Sequence, residues 1–245
     1  MFKLKSIRYT IQDQIGPDYK CPICNYFGCF RTLMPSSGVR RFAQCPNCKA
    51  LERHRLQYLV LTKVLETLPI SSMDMLHVAP ERFFKSFFSA KFGSYDTADK
   101  TRNDVDYNFG LEDIPFENER YDFIFASHVL EHIQEDWKAL AEIKRILKPN
   151  GIAILPVPLV VEKTVEYPFP NPMETDHVRA PGYKDYFERY LKVFSRVEVM
   201  TSDSFPQKYQ LFIYEDRSIY PTKECPLRDS MLGEKHIDSV PICYA

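Results

Sequence analysis

The chain has 245 residues, 44% of them hydrophobic and 27% charged, with a formal net charge of −1. This length and composition indicate a globular protein with a full hydrophobic core in one or two domains. No stretch comes near the roughly 20 uninterrupted apolar residues that span a bilayer, and the first ten residues lack the apolar region of a signal peptide. We therefore expect a cytoplasmic protein with no membrane segment.

The charge is distributed unevenly along the chain. Residues 1–65 hold eleven lysines and arginines against three acidic residues, whereas the remaining 180 residues hold 21 basic against 30 acidic residues. Two parts of opposite charge predict two modules, and a basic N-terminal module suits an anionic partner. The seven cysteines are odd in number and include two C-x-x-C pairs, which favours reduced thiols that bind a metal over disulfides.

The paired cysteines predict a zinc ribbon in the N-terminal module. Each C-x-x-C pair places two sulfurs on one tight turn, and two such turns complete a tetrahedron around Zn²⁺. Four cysteine ligands leave no open coordination position, so the predicted role of the ion is structural rather than catalytic. The predicted ligands are Cys21, Cys24, Cys45 and Cys48.

An amphipathic helix is predicted after the second cysteine pair. Between residues 51 and 68 the apolar positions fall on one helical stripe, with Arg53 and Arg55 off it. We expect this helix to connect the ribbon to the next domain. The predicted domains are a ribbon with its helix at residues 1–68 and a second domain at residues 69–245, which includes a C-terminal extension.

From residue 72 onward, short apolar runs alternate with helical patterns. The run at 121–127 is typical of a buried strand, and the helix after it is bounded by Glu135-Asp136 and by the turn at 148–151. Later runs at 196–200 and 210–215 predict two final strands. The alternation predicts an α/β fold with a seven-stranded, mostly parallel sheet and flanking helices.

Residues 121–133, with the sequence YDFIFASHVLEHI, resemble the fourth-strand motif of class I S-adenosylmethionine-dependent methyltransferases of the type 11-like group. The first-strand motif LHVAPE at 76–81 and the two CPxC pairs resemble a subgroup that carries an N-terminal zinc ribbon. The resemblance covers about residues 20 to 200. It implies a Rossmann-like fold, S-adenosylmethionine as the cofactor and methyl transfer as the activity.

The resemblance assigns cofactor binding to the loops that follow the strands, beyond the carboxyl edge of the sheet. The chain departs from the family's glycine-rich first loop, because Ala79-Pro80-Glu81 stands there and His77 replaces the usual acid. Asp99, at the end of the second strand, is expected to bind the ribose hydroxyls, with Asp96 as the alternative. The family's acid near residue 110, which contacts the adenine amino group, is absent, and Asp113 or a backbone carbonyl substitutes. The predicted cofactor-binding residues are His77, Ala79, Pro80, Glu81, Asp99, Leu111, Asp113 and Ser127.

The resemblance places the transferring methyl group at the end of the fourth strand. A hydroxyl acceptor needs a general base, and histidine suits that role near neutral pH. His128 and His177 are the predicted catalytic residues, and Arg179 is expected to hold an anionic group of the acceptor. Since positions i, i+3 and i+4 share a helical face, His128, Glu131 and His132 form an alternative metal site, and a structural role is the other interpretation of the last two.

Three functions remain open at this stage. The acidic second domain favours an O- or N-methyltransferase that acts on a small molecule or glycan precursor. An RNA methyltransferase that binds phosphates through the basic ribbon is the second hypothesis, and a binding module without catalysis is the third. The polar segments at 162–181 and from 216 onward predict a substrate lid and an extension along the surface. The ribbon residues proposed to contact RNA phosphates are Arg40, Arg41, Lys49, Arg53 and Arg55.

Overall fold

The computed structural model describes residues 16–35, 38–159 and 161–245. In chain order these residues form β1 (Asp18–Lys20), β2 (Phe27–Cys29), β3 (Arg31–Leu33), β4 (Val39–Gln44), α1 (Glu52–Leu65), β5 (Asp74–Val78), α2 (Arg82–Ser89), β6 (Ser94–Ala98), β7 (Tyr121–Ala126), α3 (Asp136–Ile146), β8 (Leu147–Ile154), β9 (Val165–Asn171), β10 (His177–Ala180), α4 (Phe187–Leu191), β11 (Arg196–Thr201), β12 (Ile213–Asp216), β13 (Glu234–His236) and β14 (Ser239–Tyr244). Among these helices, none combines the length and the apolar character that crossing a membrane requires.

Contacts divide the described chain into two compact units, each made of several segments. Unit 1 contains the described residues up to Leu59 together with Asn171–Asp176 and Thr201–Asp238. Unit 2 contains Val60–Pro170, His177–Met200 and Ser239–Ala245. The domain boundary between residues 68 and 69 remains a prediction. The units differ from the predicted domains, because residues 171–176 and 201–238 group with the ribbon and the first division falls after Leu59.

Unit 1 is built from antiparallel strand pairs. β1 and β2 form a hairpin, and a four-stranded sheet has the order β13-β12-β4-β3. Within this sheet Glu215 of β12 lies opposite Arg40 of β4. Gly38 precedes β4 with a φ of 138°, and a Cβ atom there would lie 1.8 Å from the backbone oxygen of Asp216. Only glycine therefore allows this approach of β4 to the end of β12.

The strand predicted at residues 210–215 forms as β12, but it belongs to the sheet of the ribbon unit and not to the parallel sheet. The physical reason lies in Arg40, whose guanidinium is 3.2 Å from the carboxylates of both Glu52 and Glu215. Both acids are buried, and buried charges need a partner of opposite sign. This long-range pairing has no signature in the local sequence pattern.

Arg55 illustrates a second difference from the sequence-based expectation. It lies in α1 off the apolar stripe, yet its side chain is fully buried. Its guanidinium donates hydrogen bonds to the backbone carbonyls of Ala43 (2.9 Å), Ala50 (2.8 Å) and Gln210 (2.6 Å). Arg55 therefore stabilises unit 1 from within, and its charge is not presented to an external phosphate.

Unit 2 contains a six-stranded sheet with the order β11-β14-β8-β7-β5-β6. β5 pairs in parallel with both β6 and β7, and β7 pairs in parallel with β8. The predicted Rossmann-like α/β class is confirmed, although the described part of the chain places six strands in this sheet rather than seven. β14 pairs antiparallel with β8, so residues 239–244 belong to the sheet and are not an extension along the surface.

The centre of this sheet is apolar because β7 is covered on both faces. Five of the six β7 residues are buried, which is typical of a strand inside a parallel sheet. α3 starts at Asp136 and ends at Ile146, within the bounds predicted from its flanking residues, and buries Leu140 and Ile143 in the same core as Ile124 of β7.

The order of the strands locates a crevice. β5 is the first strand of this sheet along the chain, and β6 and β7 lie on opposite sides of it, so the direction of winding reverses at β5. In open α/β sheets, ligands bind at such a reversal, beyond the carboxyl ends of the strands. Here those ends are Val78 of β5 and Ala126 of β7.

Candidate functional site

The loop after β5 makes a tight turn at Ala79. Its φ of 48° lies in the left-handed region, which glycine adopts without strain. The amide of Ala79 donates to the carbonyl of Ala98 at the end of β6 over 2.8 Å. Pro80 is buried and its carbonyl accepts a 2.8 Å hydrogen bond from Arg102, while Glu81 occupies the N-cap of α2. The turn thus has the backbone shape that a glycine provides in nucleotide-binding loops, with a small methyl side chain in its place.

Asp99 follows β6 directly and is half-buried. Its Oδ1 accepts hydrogen bonds from the amides of Thr101 (2.8 Å) and Arg102 (3.0 Å), which fix the carboxylate at the end of the strand. Asp96, the alternative acid, lies inside β6, and its Oδ2 accepts a 2.7 Å hydrogen bond from the Tyr121 hydroxyl of β7. Of the two carboxylates, Asp99 is therefore the one held at the carboxyl edge.

Three other predicted cofactor residues lie in different surroundings. Leu111 and Ser127 are buried, and Ser127 comes directly after β7. Asp113 is exposed, and its amide donates to the carbonyl of Gly110 over 3.3 Å, so this segment is a turn. Their contacts with a cofactor remain predictions.

His77, in contrast, lies in the core. Its ring has no exposed surface, packs against Phe88 and Phe125, and accepts or donates a 2.8 Å hydrogen bond between Nδ1 and the Tyr95 hydroxyl. Burial lowers the pKa of His77 to about 3, so the ring is neutral at physiological pH. The predicted contact between His77 and the cofactor remains a prediction, and the ring presents no surface at the edge of the sheet.

A cluster of one carboxylate and three imidazoles lies beyond the end of β7. His128 has a φ of 55°, and its amide donates to the carbonyl of Pro156 over 2.9 Å. The next turn is a short 3-10 helix that contains Glu131 and His132. His128 Nδ1 lies 3.2 Å and His177 Nε2 lies 3.9 Å from Oε1 of Glu131. The fold thus brings the two predicted catalytic histidines to the same carboxylate.

The Glu131 carboxylate governs the electrostatics of this cluster. Burial raises its pKa, but the imidazoles of His128 and His177 outweigh burial, so that the pKa lies below the usual value. Glu131 is therefore negatively charged at neutral pH although its side chain is fully buried. The sequence motif predicts that His128 lies near Glu131, because the two residues are three positions apart. The approach of His177 to Glu131 depends on the fold.

Arg179 has a structural role instead of the predicted contact with an acceptor. Its side chain in β10 is 1% exposed and donates to the backbone carbonyls of Leu130 (2.9 Å) and Gln134 (2.8 Å). Its guanidinium also lies 3.4 Å from the carboxylate of Asp136. Arg179 therefore connects β10, and with it His177, to the turn that carries Glu131.

The four predicted zinc ligands converge in unit 1. The sulfurs of Cys21 and Cys48 are 3.6 Å apart, as are those of Cys24 and Cys45, and all four lie within 4.8 Å of one another. Four sulfurs at about 2.3 Å from one tetrahedral ion are separated by about 3.8 Å, so the arrangement fits zinc. All seven cysteines are free thiols, and Cys29 lies outside the cluster.

Comparison with known proteins supports the resemblance. Residues 88–155 match a family model described as a methyltransferase domain, and this segment includes β7 and the turn with Glu131. No curated protein matches the sequence.

Several solved structures are similar to this chain at low sequence identity. A methyltransferase from Mesorhizobium loti that depends on S-adenosylmethionine has a TM-score of 0.52, is 8% identical and covers 78% of this chain and 98% of its own. A SAM-dependent methyltransferase from Thermotoga maritima has a TM-score of 0.45 at 14% identity, with 78% and 90% of the two chains covered. A protein of Haloferax volcanii solved with the Trm112 methyltransferase activator has a TM-score of 0.47 at 14% identity, with 76% and 88% covered.

Proposed function

We propose that this protein is a class I S-adenosylmethionine-dependent methyltransferase that methylates a hydroxyl or amine of a small molecule or glycan precursor in the cytoplasm. The match of residues 88–155 to a methyltransferase domain supports this proposal. The observation that carries the proposal is the convergence of His128 and His177 on the buried Glu131 carboxylate beyond β7. The cofactor would supply an activated methyl group, and an acceptor hydroxyl must lose its proton to attack it. Imidazoles at this edge are suited to receive that proton.

The residues at the carboxyl edge fit a nucleoside cofactor. The left-handed turn at Ala79 allows a close approach of the backbone, and Asp99 offers a carboxylate oxygen for the ribose hydroxyls. Methyl transfer is an in-line displacement, so the main task of these groups is to align the acceptor with the methyl group and exclude water. Pro80, Glu81, Leu111, Asp113 and Ser127 complete the proposed cofactor set, and His77 is left out because its ring is buried.

We further propose that Cys21, Cys24, Cys45 and Cys48 bind one structural zinc ion. The residue after each second cysteine, Asn25 or Lys49, is left-handed, with φ values of 59° and 68°. The two turns therefore have the same geometry, which supports a symmetric set of four ligands. A closed site of this kind contributes to folding and takes no part in the chemistry.

The RNA hypothesis has less support from the described residues. Of the five basic residues proposed to contact phosphates, Arg55 is fully buried and Arg40 lies between two buried acids. Arg41 and Lys49 are exposed and Arg53 is half-buried. A phosphate-binding surface needs several unneutralised charges, and two of these five are used inside the unit.

The acceptor class is tested by supplying methyl-labelled S-adenosylmethionine and the full chain to a cell extract separated into small-molecule, glycan and RNA fractions. We expect label in the small-molecule or glycan fraction, read by mass. Label in the RNA fraction alone would contradict the proposal and support the RNA hypothesis. No measurable cofactor binding in calorimetry would support the binding module without catalysis.

The roles of individual residues are tested by a matched pair of substitutions in β6 and its loop. Each hydrogen bond to a charged group contributes about 1.5–3 kcal/mol, so Asp99→Asn should weaken cofactor binding about 10-fold or more. Asp96→Asn should leave cofactor affinity unchanged, because Asp96 is engaged by Tyr121. A larger loss of affinity in Asp96→Asn than in Asp99→Asn would reverse the assignment.

His177→Ala should slow turnover by at least about 100-fold at nearly unchanged cofactor affinity.

A further inference from the structure

Glu131 is a buried carboxylate whose polar side-chain neighbours are imidazoles, the nearest being His128 Nδ1 at 3.2 Å from Oε1. Its side chain has no exposed surface, and neither carboxylate oxygen has a hydrogen-bond partner among the described residues. Leaving buried carboxylate oxygens without a hydrogen bond costs at least about 1–3 kcal/mol. A positively charged partner at this position would remove the cost.

Two imidazoles are placed to complete a binding site with this carboxylate. Ligand atoms of Glu131, His132 and His177 all lie within 4.8 Å of one another. The rings of the two histidines meet edge to face, with centroids 4.7 Å apart. Nitrogen and oxygen ligands bind a zinc-like ion at about 2.0–2.2 Å, so the ligands of one tetrahedral ion lie about 3.3–3.6 Å apart. Binding an ion would draw these side chains together to that spacing.

A protonated imidazole is the competing partner for the Glu131 charge. His128 Nδ1, at 3.2 Å from Oε1, is near enough to form an ion pair. That pair leaves the convergence of His132 and His177 on the same carboxylate unexplained, because neither ring takes part in it. Two neutral imidazoles can instead each offer a lone pair to a cation. His132 is exposed, which gives an ion access from solvent.

We propose that Glu131, His132 and His177 bind one divalent transition-metal ion with the ligand preferences of zinc. One carboxylate and two imidazoles are a common set for such ions, and three protein ligands leave a coordination position open. His128 contacts the ligating carboxylate and orients it. Because Arg179 holds β10 against the turn with Glu131, His177 stays in reach of the other two ligands.

The proposed ion narrows the class of acceptor, and this consequence rests on the proposed function. A cation with an open position lowers the pKa of a bound hydroxyl. A hydroxyl gains more from this than an amine, since an uncharged amine already has the lone pair that attacks. The ion site therefore favours a hydroxyl acceptor, with His177 as a ligand and His128 as the remaining imidazole near the acceptor.

The test is a count of bound zinc ions per chain. The full chain and its variants are equilibrated with excess Zn²⁺, exchanged into volatile buffer and weighed by native mass spectrometry. We expect His132→Ala and His177→Ala each to hold one ion fewer than the wild type, because losing a ligand weakens binding by more than about 100-fold. His236→Ala removes a histidine of β13 outside the cluster and should hold as many ions as the wild type.

His132 is exposed, so its replacement leaves the folded core intact and the count is not confounded by unfolding. Replacement of zinc by Co²⁺ identifies the ion that is lost. Cobalt at the cysteine cluster gives a charge-transfer absorption band from its bonds to sulfur, and cobalt at the histidine cluster lacks this band. An equal ion count in the wild type and His132→Ala would overturn the proposal. If the wild type transfers methyl groups but binds as many zinc ions as His132→Ala, the ion site is refuted and the proposed function is not. If His132→Ala binds one ion fewer but the wild type transfers no methyl group, the proposed function is refuted and the ion site is not.

Discussion

The cysteine cluster of unit 1 and the histidine–glutamate cluster of unit 2 are assembled in different ways. In the first, two short repeats supply all four sulfurs, and the amides of Asn25 and Lys49 donate to the carbonyls of Cys21 and Cys45 at 2.9 and 3.0 Å. In the second, the turn after β7 supplies Glu131 and His132, and a distant strand supplies His177. One cluster is a product of local spacing and the other a product of topology.

The two clusters also differ in their expected roles, because the cysteine cluster suits a structural ion and the histidine–glutamate cluster suits an ion that takes part in the reaction. Four cysteines saturate an ion, and such closed sites contribute folding energy, whereas three mixed ligands leave room for a substrate atom. We therefore expect the loss of one cysteine ligand to unfold part of the protein, and the loss of one histidine ligand to change binding and turnover only.

The largest effect is expected for Cys45→Ser. Cys45 is fully buried, and structural zinc contributes roughly 10 kcal/mol or more to the folding of small zinc domains. We expect the variant to release zinc and the ribbon to become sensitive to protease, which a zinc-binding dye and limited proteolysis measure.

Cys29→Ser is the matched control for that prediction. Cys29 lies in the same ribbon but outside the cluster, and its thiol donates to the carbonyl of Phe30 at 3.6 Å. Zinc content and protease resistance should equal those of the wild type. If both variants lose zinc alike, the four-cysteine assignment is wrong.

The next largest effect is expected for Arg179, because it connects β10, which carries His177, to the turn that carries Glu131. Replacing Arg179 by methionine removes the hydrogen bonds to the carbonyls of Leu130, Ile133 and Gln134 and the contact with the buried Asp136 carboxylate, which retains Tyr186 and Arg189 as donors. Breaking a buried ion pair costs about 3–5 kcal/mol. We expect a loss of this size in the free energy of unfolding, measured with urea, together with reduced turnover.

Arg189→Met provides the comparison for that variant. Arg189 also pairs with Asp136, at 2.6 Å, but its side chain is 30% exposed. Water compensates a partly exposed pair, so the expected loss is at most about 1 kcal/mol. Equal losses in the two variants would show that the burial of Arg179 carries no special weight.

The sequence alone predicts those parts of the molecule that local patterns determine. The cysteine spacing identifies all four sulfurs that converge, and the bounds of α3 follow from Glu135 before it and the turn at 148–151 after it. The Rossmann-like class follows from the alternation of strands and helices. These features need only a few neighbouring residues, so they are visible before any fold is known.

Long-range contacts account for the differences. β12 joins the ribbon sheet because Gly38 admits the end of β12 and Arg40 pairs with Glu215. Arg55 and Arg179, both expected to face a ligand, are buried against backbone carbonyls that come from distant segments. A charge pattern shows that an arginine is present, but only the fold determines whether its partner is a ligand or a carbonyl group.

Apart from the control variants, the smallest effect is expected for His77, and it tests whether this residue of the first-strand motif lies in the core or at the carboxyl edge of the sheet. Burial lowers the pKa of His77 from 6.5 to about 3. Between pH 3 and pH 6.5, His77 is therefore protonated in the unfolded chain and neutral in the folded protein. Stability therefore falls as the pH drops below 6.5, by about 2 kcal/mol at pH 5, and the loss levels off below pH 3. Urea unfolding at pH 7 and pH 5 should show His77→Gln losing about 2 kcal/mol less than the wild type over that interval. Equal losses would mean that the imidazole is already solvated in the folded protein, which would return His77 to the edge where a cofactor binds.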